Sequence, residues 1–341
     1  MSSGGGIFAA QNMMYRHTVT IYDETGKQLA KIKDKVNLAD YGFEEYKSKD
    51  YLGGPVEAVF SHSGRYLWVS QYSMIGKEFK NPGCDACAGK TYDPSFVYKI
   101  NTVTKEVENV IEVGAVPKFM AITADESKIL VSNWSSSDVS IIDTKKEEEV
   151  KRVDVGVHPR GIAIKSDGSE AFVTIMGSTK IARINMSNFE TSYIENVGRS
   201  PRHLVLSADN RYLYCSVNSS NTVVKIDLES GERQSCHTNS GPRTMVLSAD
   251  QRFLYVVNYF SNTFSKIQTD SMIVKEVVAT SKHPIGICGN WNKAEIWVAC
   301  YSGKIEVFRD FELEQELFPK KLLGLNWNQL AFETTPVDLA K

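Results

Sequence analysis

Six prolines at near-regular spacing, four short apolar segments in each interval and turn residues at every break together predict an all-β fold. The architecture they predict is a seven-bladed β-propeller built from four-stranded antiparallel blades. The clearest copy of the repeat is residues 198–239, where segments 203–207, 212–217, 222–227 and 232–237 alternate or run apolar. They are separated by Ala-Asp-Asn-Arg, Asn-Ser-Ser-Asn and Glu-Ser-Gly, so each break is made of residues that favour turns. Pro55, Pro117, Pro159, Pro201, Pro242 and Pro284 precede the first strand of each unit, at intervals by subtraction of 62, 42, 42, 41 and 42. A period near 42 with four strands per unit is that of a propeller blade. The one long interval holds an insertion.

In that frame the second strands are 66–70, 128–132, 171–175, 212–217, 253–257 and 295–299, each with an aromatic or β-branched centre. Third strands include 139–143, 180–185, 222–227, 263–267 and 304–308. The ends supply a seventh blade: segments 7–12, 17–23 and 28–32 match strands two to four of a unit with no first strand. One period beyond Pro284 lies Trp327, and Asn328-Gln329-Leu330-Ala331-Phe332-Glu333 follows the pattern of Arg160-Gly161-Ile162-Ala163-Ile164-Lys165. The expectation is therefore one domain over 1–341, with 7–35 and 326–335 sharing a closing blade in which the C-terminal strand is innermost. Such closure would leave no blade edge unpaired.

Composition narrows the class without naming a function. A net charge of −2 gives no bulk electrostatic case for nucleic acid or an acidic membrane, so any binding field must be local. No apolar run approaches the roughly 18 residues that span a bilayer, which predicts no membrane insertion. The start, Met-Ser-Ser-Gly-Gly-Gly, reads as a flexible linker, which keeps open a chain whose leader is missing as well as a cytoplasmic one. Six cysteines are too few for a disulfide scaffold, and Cys215, Cys288 and Cys300 fall inside strands as small buried hydrophobes.

Leu213-Tyr214-Cys215-Ser216-Val217-Asn218 and Leu254-Tyr255-Val256-Val257-Asn258, each preceded by Ser-Ala-Asp and followed by Ser-Asn-Thr, resemble the Tyr-Val-Thr-Asn (YVTN) repeat of bacterial and archaeal seven-bladed propellers. The resemblance covers nearly the whole chain. It implies a propeller often found in exported or cell-surface proteins, sometimes reported to bind nucleic acid, and distantly similar to propeller lactonases and quinoprotein domains. Phe172-Val173-Thr174-Ile175 and Trp297-Val298-Ala299-Cys300 depart from it by losing the Asn.

Chemistry is expected where the loops entering strand one and leaving strand two share a face. After the prolines come Val56, Lys118, Arg160, Arg202, Arg243 and Ile285, so four consecutive blades put a cation at the channel mouth, with His203 beside one and His158 and His283 before two prolines. Such a cluster suits an anionic ligand. The structural alternative is that these cations tie neighbouring blades or turn acids together, as repeated residues at repeated positions usually do. The same face receives Tyr72, Trp134, Tyr259 and Tyr301, rings suited either to stacking on a ligand or to packing blade on blade.

The insertion, 73–94, rises from this face, and the connection 37–51, with Tyr41, Phe43, Glu44, Glu45 and Tyr46, is expected to lie against it and help roof the channel. Cys84 and Cys87 form a lone Cys-x-x-Cys inside the insertion. A disulfide that pins the loop is the favoured reading, with free thiols and a metal as alternatives; a disulfide would imply an oxidising compartment, periplasmic, cell-surface or secreted. No nucleophile elbow, phosphate loop, calcium loop or zinc-protease motif is present. Glu57 and Asn133 are the residues that could meet a metal at the mouth, but the cations around them disfavour one.

The functional expectation is a monomeric, non-catalytic binding propeller without metal or cofactor. Its ligand would be an anionic small molecule, a polysaccharide or a protein partner segment at Lys118, Arg160, Arg202, His203 and Arg243, with Tyr72, Trp134, Tyr259 and Tyr301 around them. A lactonase or lyase acting on an anionic sugar in the same funnel is the alternative, with single-stranded nucleic acid a weaker one.

Overall fold

The computed structural model describes residues 2–13, 16–46, 50–317 and 332–338. Seven four-stranded antiparallel sheets make a seven-bladed β-propeller, and each sheet is one contiguous stretch of chain: 2–33, 55–113, 117–154, 159–194, 201–237, 242–279 and 284–338, blades 1 to 7 here. Among the described residues the only α-helix is Phe311–Leu317. The chain divides into two compact units, 2–206 and 207–341. The first holds blades 1 to 4 and the opening strand of blade 5; the second holds the rest.

Within a blade, burial follows strand position. Second and third strands are covered on both faces, so Ser95–Asn101 and Phe253–Asn258 are buried along their whole length, whereas the outer strand Ile273–Ala279 alternates between exposed and half-buried. That is why the middle strands read as continuous apolar runs and the outer ones as alternation. Each fully buried aliphatic or aromatic side chain contributes roughly 1.5–3 kcal/mol.

Two polar devices recur. The Asn that ends strand two closes the next turn: Asn133 Nδ2 donates to Asp138 at 2.7 Å and Ser140 at 2.8 Å, and Asn258 Nδ2 to Thr263 at 3.1 Å and Ser265 at 2.9 Å. The hydroxyl one place earlier ties blade to blade. Ser132 Oγ donates to the Arg160 carbonyl at 2.6 Å, Thr174 Oγ1 to that of Arg202 at 3.1 Å and Ser216 Oγ to that of Arg243 at 2.7 Å. In blades 3 and 4 the same hydroxyl accepts the second backbone N–H after the proline, Phe119 at 3.1 Å and Gly161 at 2.8 Å, where strand pairing slips register. These bonds fix the backbone on which the cations stand.

The expected closure is corrected at both ends. Ser2–Gly4 forms the first strand of blade 1, pairing Ser2 with Ala9 and Gly4 with Ile7, so no C-terminal strand takes that place. The glycines are not a linker. Gly5 and Gly6, both with positive φ (58° and 78°), make a two-residue hairpin turn, and a Cβ on Gly4 would stand 2.4 Å from Phe60 Cβ. Phe332–Asp338 instead pairs with Lys304–Asp310 as the outermost strand of blade 7, with Ile305 opposite Val337. Residues 326–331 of the expected closing strand lie outside the described residues.

Candidate functional site

The first strands of blades 2 to 5 lie side by side in the first unit, and the residues after their prolines converge. Lys118 is the most enclosed, at 8% exposure. Its ammonium donates to Asp85 Oδ1 at 2.6 Å and sits over the Tyr72 ring at 4.2 Å and the Trp134 ring at 5.4 Å. Burial, then the charges of Arg160 and Arg202, push its amine down to about 8 against the opposing pull of Asp85. Desolvation would raise the Asp85 carboxyl, but the hydrogen bond and charge of Lys118 hold it below its ordinary value.

Asp85 comes from the insertion, whose base and tip do different things. At the base, Phe79 stacks on Tyr46 with centroids 4.8 Å apart and meets Phe96 edge-on, Tyr51 donates to Glu78 at 2.6 Å, and Tyr41 donates to the Val107 carbonyl at 3.0 Å. The described residues of the connection 37–51 therefore lie against the insertion as expected, on the third and fourth strands of blade 2, where their rings find apolar cover. At the tip, Cys84 and Cys87 are joined by a disulfide. Here the loop crosses to blades 3 and 4. Trp134 Nε1 donates to the Asp85 carbonyl at 3.1 Å, Ser135 Oγ to that of Cys84 at 3.1 Å, and His158 Nε2 lies 3.0 Å from that of Cys87. Lys90 pairs with Asp154 at 2.6 Å.

Arg160 and Arg202, both half-buried, flank a histidine and a carboxyl. Burial first, and then these two guanidinium charges, push His203 down to about 3, which leaves the ring neutral at physiological pH; it meets Phe119 edge-on at 5.0 Å. Glu57 is raised by burial and pulled back by Arg160 and Arg202. Arg202 Nη1 also reaches Met176 Sδ at 3.6 Å. The glycine after Arg160 lets the strands approach: a Cβ on Gly161 would stand 2.7 Å from His203 Cα and 2.8 Å from the Arg202 carbonyl.

The second unit carries its own set. Arg243 lies over the Tyr259 ring at 3.5 Å, Tyr259 stacks on His283 at 4.5 Å, and exposed Tyr301 meets Tyr259 edge-on at 5.9 Å. Trp134 stacks on His158 in the same way, at 4.4 Å. Both histidines have positive φ just before their prolines, 60° and 58°, which turns each back toward the ring that ends the preceding blade's second strand. Three of the four rings expected on the rim thus serve internal contacts, and Tyr301 is the open one. A groove of about 610 Å³ in this unit contains none of these residues. Its cations are already engaged, Arg211 by Asp227 at 2.9 Å and Lys225 by the Thr269 carbonyl at 2.8 Å.

What the sequence reading missed is the acid that meets Lys118. Its only signal was its place between the two cysteines. Among the described residues, no group of three or more His, Cys, Asp or Glu side chains could hold a metal, and no helix is long and apolar enough to cross a membrane.

Neither a protein-family model nor a curated protein sequence matches this chain. Solved structures do. A putative 6-phosphogluconolactonase from Bacteroides uniformis is similar over 98% of this chain and 96% of its own, with a TM-score of 0.67 and 16% identity. Hydrazine synthase from Kuenenia stuttgartiensis is similar over 84% and 87%, at 0.63 and 18%. Virginiamycin B lyase from Staphylococcus aureus is similar over 85% and 88%, at 0.61 and 19%. What these proteins share with the chain is the fold.

Proposed function

We propose that this propeller is a binding protein whose site, at Lys118, Arg160 and Arg202, takes an anionic ligand such as a sugar acid. The observation that carries the reading is that three cations converge on two carboxyls, one of which, Glu57, burial drives toward its neutral form. The residual charge is positive in a half-enclosed place, where an anion is worth more than in bulk water. The neutral imidazole of His203 adds a hydrogen-bonding group beside it. The YVTN resemblance and the disulfide favour an oxidising compartment for a single-domain protein, and the positive mouth suits an acidic polysaccharide or an acidic segment of a partner as well as a small molecule.

Catalysis is the second reading, and His203 and Glu57 are its support. A neutral imidazole and a carboxyl of raised pKa beside two arginines are groups that could hold and move a proton near a bound anion. That one structural neighbour is a lyase and another a putative lactonase makes turnover of sugar lactones the assay to run.

A panel of gluconate, galacturonate, 6-phosphogluconate and short oligonucleotides, titrated onto wild type and an Arg160→Ala/Arg202→Ala variant at low and high salt, tests the binding reading. Salt-sensitive binding of an anion that falls at least tenfold in the variant is expected. Binding indifferent to the two arginines, or none in wild type, would refute it.

A further inference from the structure

Lys118 and Asp85 differ in how they meet the solvent. The Lys118 side chain is 9% exposed, whereas that of Asp85 is 75% exposed. The carboxylate is thus presented to a sunken ammonium from the solvent side, as a ligand's would be. Tyr72 completes the seat: its hydroxyl donates to the same Asp85 oxygen at 3.1 Å while the face of its ring lies under the ammonium. Removing Asp85 leaves a sunken ammonium without its acid, so an anionic oxygen is the group best fitted to take its place.

Asp85 sits between the two disulfide-linked cysteines, and the carbonyls of Cys84, Asp85 and Cys87 are each held by a side chain of blade 3 or 4. The four-residue link makes those three carbonyls one rigid patch. We propose that Lys118 and Tyr72 form a carboxylate-binding subsite which the chain's own Asp85 fills, and that reduction of Cys84–Cys87 loosens the strap and opens that subsite to an anionic ligand. This rests on the anion-binding reading for its ligand, but not for its motion. The step is a two-electron reduction. A dithiol such as dithiothreitol attacks one sulfur as its thiolate, and the S–S bond breaks to leave a mixed disulfide. The reductant's second thiol displaces the remaining cysteine and leaves as a cyclic disulfide, and the two protons the dithiol gave up end on the two cysteine thiols.

Amine labelling tests the strap directly, because a deprotonated lysine acylates and a covered one does not. The full chain is treated at pH 8 with an N-hydroxysuccinimide acetyl ester, and Lys118 modification is followed by mass spectrometry with and without dithiothreitol. Melting curves are recorded in parallel to confirm that each form is folded. Roughly tenfold faster labelling of Lys118 is expected on reduction, with the same gain in Cys84→Ser/Cys87→Ser and Asp85→Ala without reductant, and no further gain when those variants are reduced. A rate unchanged by reduction in wild type and by either variant would overturn the proposal. Galacturonate added to the reduced protein separates the two claims: protection of Lys118 supports both, while fast labelling without protection keeps the strap and refutes the anion site.

Discussion

Lys118–Trp134–His158 and Arg243–Tyr259–His283 are the same construction in two places. In each, a cation after the proline lies over the ring that leaves strand two, and that ring stacks on the histidine before the next proline, at 4.4 Å in one and 4.5 Å in the other. They differ in what covers them. The first is crossed by the insertion, which gives Lys118 an acid, Trp134 a carbonyl and His158 another; the second ends in exposed Phe260 and Tyr301. The stack is built a second time without the insertion, and the acid comes from the insertion. Specialisation is to be sought where the insertion meets the stack.

The largest expected effect separates the covered stack from the open one. Trp134→Ala removes an almost buried indole with its carbonyl bond and should cost about 3–5 kcal/mol in urea unfolding, whereas Tyr259→Ala, which leaves a half-open site, should cost roughly 1–2 kcal/mol. Equal losses would mean that the insertion adds nothing to the stack. Gly161→Ala comes next. Its methyl would press on His203 and the Arg202 carbonyl, and overpacking of this kind should cost about 1–3 kcal/mol and weaken anion binding as Arg202 moves; a neutral result would show that the two first strands have room to part.

Asp85→Ala tests the acid that the insertion brings to the first stack. One partner is mostly exposed, so the expected loss is about 1 kcal/mol, while Lys118→Met should be neutral within about 1 kcal/mol because it removes the buried charge with its need for a partner.

The smallest effect concerns a cost of the insertion. Asn133 and Asn258 close tight turns, but in blade 2 the insertion replaces that turn, and Gln71 stands at the equivalent place with neither amide atom bonded. It shares a buried space with Asp34, whose carboxyl oxygens are also unbonded; both side chains come within 2.7 Å of where a Gly53 Cβ would stand. Burial lifts Asp34 from its ordinary 3.8 to about 8. The folded state then holds a proton that the unfolded chain has lost, so stability from this group is complete below about pH 4 and declines as pH rises toward 8. Asp34→Asn should flatten that part of the profile in melting temperature against pH, and an unchanged slope would count against a buried, uncompensated Asp34.

How much of this was legible depends on whether a residue follows the repeat. Strands 7–12, 212–217 and 222–227 have the expected bounds because period, apolar run and turn residues agree there. The cations after the prolines were equally plain. The ends misled because glycine has two uses: Gly5-Gly6 between two strands is a hairpin turn, but at a chain start it resembles a linker. Blade 7 misled because one period beyond Pro284 falls at Trp327, where the count expects a first strand, whereas register with Lys304–Asp310 makes Phe332–Asp338 a fourth. The Asp85–Lys118 pair was out of reach, since the two are 33 apart and the insertion that joins them follows no repeat.

His203 gives the most direct test of the anion site, because its neutral ring lies in the field of both Arg160 and Arg202. Its imidazole nitrogen and carbon-bound proton shifts, followed by NMR at neutral pH while galacturonate is added, should move saturably in wild type and stay still in the Arg160→Ala/Arg202→Ala variant. Shifts that do not move in wild type, or that move equally in the variant, would contradict an anion bound at these arginines.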